Sequence, residues 1–159
     1  MDYRKNTQKK AFTIIEVMLA IAILLVAVLG TSAFRYSAAL NARRADLQTT
    51  ASRTALLLCE SWSGVGGSAT FNPEAVFVAD INIISHTGPT EPLGFNVLGS
   101  YQIVMEGNHY YATLSWIDIA PELRALNVIV NWDQADTGTH DVSQADRSYQ
   151  LTTYIENPN

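Results

Sequence analysis

Cysteine is nearly absent from this chain. Cys59 is the only one in 159 residues, so no intramolecular disulfide can form and no cysteine pair can hold zinc. Positive charge is scarce beyond the N-terminus. From residue 12 onward there are 6 basic and 14 acidic side chains, a balance that argues against a nucleic-acid binder driven by phosphate contacts. Residues 31–62 contain no proline and no glycine, so nothing there breaks a helix. Catalytic motifs are missing as well: there is no G-x-S-x-G, no phosphate-binding loop and no H-E-x-x-H. The histidines, His86, His109 and His140, are scattered over two loops and a strand start. No enzyme is expected from these residues.

What is present is unevenly spread. The first 11 residues hold Arg4, Lys5, Lys9 and Lys10 against Asp2. A long apolar run follows, in which only Thr13 and Glu16 are polar between residues 12 and 29. A helix over residues 12–30 would be roughly 28 Å long at 1.5 Å per residue, close to a hydrocarbon core of about 30 Å. Its basic flank belongs in the cytoplasm. An ordinary anchor or a signal peptide cut near Ala33 has the same polarity, but neither explains Glu16. A carboxylate deep in a bilayer costs on the order of a few kcal/mol.

The residues A-F-T-I-I-E, 11–16, resemble the processing site of class III signal peptides, found on type IV pilins and type II secretion pseudopilins. The resemblance implies cleavage by a prepilin peptidase between Ala11 and Phe12, N-methylation of Phe12, and Glu16 as the fifth mature residue. Glycine usually precedes the cut in that family; Ala11 departs from it but is also small. Cleavage would leave a charged α-amine on Phe12 in an apolar setting. Staggered parallel helices could bring one subunit's Glu16 near a neighbour's amine, where low dielectric makes pairing strong and an unpaired charge costly. A contact between Glu16 and its own amine is the competing use.

Past residue 30 the pattern becomes amphipathic. Tyr36, Leu40, Leu47, Ala51, Leu58 and Trp62 recur at steps of four and seven and share one helical face. One helix over residues 12–62 is expected, transmembrane at about 12–30, ending at S-G-V-G-G, 63–67. Residues 75–84 read as a strand and 86–94, rich in Thr, Pro and Gly, as a surface loop. Residues 101–106 and 109–119 read as strands around a Gly107-Asn108 turn. Residues 126–132 and 149–155 alternate as strands with one buried face. The expected fold is α+β: a long N-terminal helix, membrane-spanning in its first half, packed on a C-terminal antiparallel sheet of about four strands. The domain reading is leader 1–11, helix 12–62 and globular head 63–159.

The segments N-V-I-V-N-W-D and Y-Q-L-T-T-Y-I, 127–133 and 149–155, look like the last hairpin of small minor pilins and of minor pseudopilin I. Two departures from large major pilins favour a minor subunit: no C-terminal disulfide can form, and no helix-kinking proline stands near Ser32-Ala33-Phe34. The resemblance implies a structural subunit in the bacterial inner membrane with its head in the periplasm, later entering a filament. It would act in filament initiation or at the tip. Its implied partners are the prepilin peptidase, other minor and major subunits, the inner-membrane assembly platform and the bilayer. No cofactor is implied. The cluster D-Q-A-D-T-G-T-H-D, with Asp133, Asp136 and Asp141, is a weak calcium candidate: it is oxygen-rich, but it lacks EF-hand spacing. A solvated hairpin loop is the plainer reading. The alternative from another class is an exported or membrane-tethered binding module, calcium-responsive in one version, with no filament role.

Overall fold

The computed structural model describes residues 13–134 and 141–156. Its elements in order are helix α1 (Ile14–Gly64), a one-turn helix α2 (Pro73–Val76), and strands β1 (Asn82–Ser85), β2 (Asn96–Met105), β3 (Asn108–Ala120), β4 (Leu123–Trp132) and β5 (Arg147–Glu156), with a short 3₁₀ turn at Val142–Gln144. The chain divides into two compact units between Arg43 and Arg44. The fold is the expected α+β arrangement of one long N-terminal helix and an antiparallel sheet.

Between Ile14 and Leu29 the helix of the first unit is apolar on every side except at Glu16. All its large aliphatic side chains from Ile14 to Leu29 are exposed, and the helix is long and apolar enough to cross a membrane. Where the run ends, hydroxyls fold back on the backbone. Thr31 Oγ1 donates to the Ala27 carbonyl at 3.0 Å and Ser32 Oγ to that of Val28 at 2.9 Å. Such back-bonding satisfies a hydroxyl without a water partner.

The second unit is built on the later part of α1. Leu47, Ala51, Leu58 and Trp62 are buried as the four- and seven-residue spacing requires, whereas Tyr36 and Leu40, earlier on the same stripe, are exposed. Thr54, Ala55 and Cys59 join the buried set, widening the stripe toward the apolar face of a globular helix. Ala51 and Ala55 are fully buried in the core between helix and sheet. The residues facing them are Tyr101 and Ile103 of β2, Tyr110, Ala112 and Leu114 of β3, and Leu126, Val128 and Val130 of β4. Burying a side chain such as Leu58 contributes about 1.5–3 kcal/mol.

The helix stops where expected. Gly66 and Gly67 both take positive φ, at 67° and 63°, and the Gly67 amide donates to the Trp62 carbonyl at 2.9 Å. Trp62 then anchors the turn. Its Nε1 donates to the Ser68 carbonyl at 2.9 Å, and its ring stacks on Phe71 at 6.3 Å.

The sheet is an antiparallel meander in the order β1-β2-β3-β4-β5, five strands where about four were expected. The expected strand over residues 75–84 is mostly something else. Asn72 caps α2, its side chain accepting from the Glu74 amide at 3.0 Å, with Pro73 in the first turn. That Asn-Pro-Glu start outweighs the apolar residues after it, and only Asn82–Ser85 extends. The β2–β3 turn lies one residue earlier than Gly107-Asn108. Met105 pairs with Asn108, so Glu106 and Gly107 form the turn, with φ of 52° and 79°. Two positive φ values match the type I′ geometry that the twist of a hairpin favours.

Strand β4 also departs from the one-face expectation. Asn127 is 0% exposed and Ile129 is 8% exposed, although both point away from the helix. The reason is the Thr-Pro-Gly loop, which lies across the sheet's second face. The Pro89 carbonyl accepts from Thr113 Oγ1 at 2.7 Å, and the His86 amide donates to the Ser100 carbonyl at 2.9 Å. A side chain at Gly88 would strike Thr113 and Ser100, so the loop sits close against the strands. Strand β5, at the sheet edge, keeps a clean alternation of half-buried and exposed residues.

Candidate functional site

Ala11 and Phe12 lie outside the described residues. The description starts at Thr13, whose carbonyl accepts from the Glu16 amide at 3.0 Å and the Val17 amide at 3.3 Å, opening α1. Thr13 and Glu16 also have the T-x-x-E spacing of a capping box, a signal that a reading centred on Glu16 alone passes over. Glu16 therefore sits in the first helical turn, where the N-terminal end of the helix dipole favours a negative charge. Its side chain is exposed and shares a face with Ala20 and Leu24 at steps of four, all in the apolar segment. A carboxylate so placed can accept a positive group.

The acidic loop candidates behave differently. Asp136 lies outside the described residues, as does His140. Asp133 follows β4 directly. Asp141 is spent on a turn, its Oδ1 accepting from the Ser143 amide at 2.8 Å, and that hydrogen bond holds its carboxyl below the usual range. Neighbouring Asp146 Oδ1 accepts from the Gln134 amide at 3.0 Å, and Arg147 Nε donates to Gln134 Oε1 at 3.0 Å. These contacts clip together the two flanks of the loop. Among the described residues no three Asp, Glu, His or Cys side chains gather as a metal set.

The described histidines do not meet. His86 packs its ring against Tyr111 at 5.5 Å, and His109 Nδ1 pairs with Gln102 Nε2 at 2.9 Å. Cys59 is buried, and loss of solvation pushes its thiol upward, which suits a packing residue rather than a nucleophile.

One polar cluster of the head was not foreseen. Arg124 Nε and Nη2 donate to the two carboxylate oxygens of Asp118 at 2.7 and 3.1 Å. Its Nη1 donates to the Gly67 carbonyl at 3.1 Å, and the guanidinium lies 4.1 Å from the Trp116 ring centroid. One side chain thus ties the turn after α1 to the β3–β4 hairpin. The signal was present in the sequence as an acid and a base flanking the Pro121-Glu122 turn, but the cross-strand register that pairs them is a property of the fold.

Residues 6–32 match a family model described as the prokaryotic N-terminal methylation motif. The apolar helix begins inside this motif, which is that of a prepilin-type signal and covers the N-terminal part of the chain alone. A signal of this kind implies prepilin peptidase processing and pilin assembly in general. Comparison with curated proteins and with solved structures yields no match.

Proposed function

We propose that this chain is a minor structural subunit of a type II secretion pseudopilus or a type IV pilus, acting in filament initiation or at the tip. The observation that carries the reading is Glu16. It stands in the first turn of an apolar, exposed helix, inside the methylation motif and four residues after the expected new N-terminus. In this reading the precursor sits in the bacterial inner membrane with its head in the periplasm. Prepilin peptidase cuts between Ala11 and Phe12, Phe12 is N-methylated, and Glu16 pairs with the amine of a neighbouring subunit as the helix enters a bundle. The assembly platform and other pilin-like subunits are the partners. The minor assignment is supported by the lone cysteine, which precludes a closing disulfide.

Mass spectrometry of the mature N-terminus tests the reading. The expected result is a chain that begins with methylated Phe12. A mature chain that begins near Phe34 would make the segment an ordinary signal peptide and refute the filament role.

A further inference from the structure

The two edges of the sheet are finished differently. Strand β1, at one edge, is four residues long. Strand β5, at the other, has ten residues and pairs with β4 over its whole length without a bulge. Edge strands are normally kept from pairing with other chains by short length, lysine, proline or a bulge. β5 has none of the four, and residues 148–155 carry no charge and no glycine. Its free side turns the N–H and C=O of alternate residues outward. Among the described residues no backbone–backbone hydrogen bond takes them up.

A pocket of about 400 Å³ lies beside this strand, lined by Leu56, Cys59, Glu60 and Ser63 of α1 and by residues 151–153 of β5. Ser63 is already satisfied, its Oγ donating to the Cys59 carbonyl at 2.7 Å. Leu56 is 48% exposed. The pocket thus offers an apolar seat with one charge at its side, the exposed Glu60. A second exposed acid, Glu156, ends the strand, whereas Arg147 at its start is engaged by Gln134 and Asp146. On the opposite face Tyr154 is 62% exposed, an aromatic of the kind enriched at interfaces.

We propose that the free edge of β5 takes an added strand from a different pilin-like subunit. The strand is an extended segment with an apolar side chain in the Leu56 pocket and a lysine or arginine beside Glu60. The inference rests on the filament reading and names the edge that serves it. In strand addition, main-chain hydrogen bonds supply affinity, and pockets for alternate side chains select the partner. The acid decides between a copy and a different chain. Glu60 lies beside the middle of β5, and the pocket lining holds no base. Two copies pairing β5 with β5 about a two-fold axis there would set Glu60 against Glu60, and like charges brought together oppose a contact. A partner that brings a base meets no such cost, and a contact between unlike subunits suits a minor subunit.

The test is photo-cross-linking of the full chain in its native membrane with the assembly machinery present. The photoreactive residue p-benzoylphenylalanine replaces Gln150, which is exposed. The expected result is an adduct with one different pilin-like subunit, mapped by peptide mass spectrometry to an extended segment that holds a basic residue. The adduct should be absent when the photoreactive residue stands instead at Val78, which is 80% exposed. Amides of residues 148–155 should exchange with deuterium at least about tenfold more slowly in the adduct than in the chain alone. Glu60→Lys should cut the yield several-fold, and Glu60→Asp should retain it. An adduct with a second copy of this chain, with a helix of the partner or with an unrelated protein would overturn the proposal. So would an adduct without slowed exchange, or a yield indifferent to Glu60→Lys. If the chain begins at Phe12 and enters filaments but gives no adduct, this contact is wrong and the filament reading stands. If it neither begins at Phe12 nor enters filaments, both fail.

Discussion

Arg124 ties the turn after α1 to the β3–β4 hairpin. It satisfies a backbone carbonyl, a carboxylate and an aromatic face at once. Hydrogen bonds from Arg124 hold the Asp118 carboxyl below its ordinary value of 3.8. A carboxyl depressed in the folded state adds stability above its unfolded value, and that contribution is lost as pH falls through the lower folded one. Arg124 stays charged throughout. Asp118→Asn should therefore lower the melting temperature at neutral pH, with the gap to the parent closing in acid below the folded value of the carboxyl. A gap that persists unchanged in strong acid would show that the two residues do not act as an ion pair. Neither the pair nor the burial of Asn127 was legible from residue types. Asn127 alternates with apolar neighbours and reads as solvent-facing. It is buried because Thr152 Oγ1 accepts from its Nδ2 at 2.8 Å under a loop that covers the second face.

At the scale of the element, helix α1 shows how a terminator works. Gly64 and Gly67 both belong to the S-G-V-G-G segment, yet their sites differ. Nothing lies within 4 Å of a side chain placed at Gly64, while one at Gly67 would run into Ile155 and Leu126 at a positive φ. Gly67→Ala should cost about 1–2 kcal/mol from the backbone alone, with more from displaced Ile155 and Leu126. Gly64→Ala should be neutral or stabilising by about 0.5–1 kcal/mol. Thermal or urea unfolding of the two variants checks the contrast; equal effects would mean the turn is not held as described. The glycine cluster was readable as a stop signal, but which glycine bears the strain depends on β4 and β5. Likewise, the apolar letters of residues 75–84 suggested a strand, and the Asn72-Pro73 cap turned the first of them into a helical turn.

For the whole molecule, the apolar segment and the acidic head have compositions suited to different solvents. The first has no polar residue after Glu16 up to Leu29, and the second gathers most of the acids. On the proposed reading, assembly must satisfy Glu16 when the segment leaves the lipid. Glu16→Ala should be inserted and cut normally, yet incorporated into filaments at least about tenfold less, since it leaves the neighbour's amine unpaired in low dielectric. Quantifying the variant in sheared filaments against its membrane pool measures this. Normal incorporation would remove the pairing role from Glu16.

The sequence by itself determined the membrane-length helix, its Glu16, its glycine stop and the period-two strands after it. Each of these depends on neighbours within a few positions, where spacing along the chain and position in space agree. The tertiary structure alone decided that a proline-rich loop would bury the sheet's second face. It also decided that Glu106-Gly107 would make the hairpin turn and that Arg124 would reach both Asp118 and Gly67. Those outcomes turn on register and on groups as far apart as residues 67 and 124, and no local pattern encodes a contact whose partner is selected by packing.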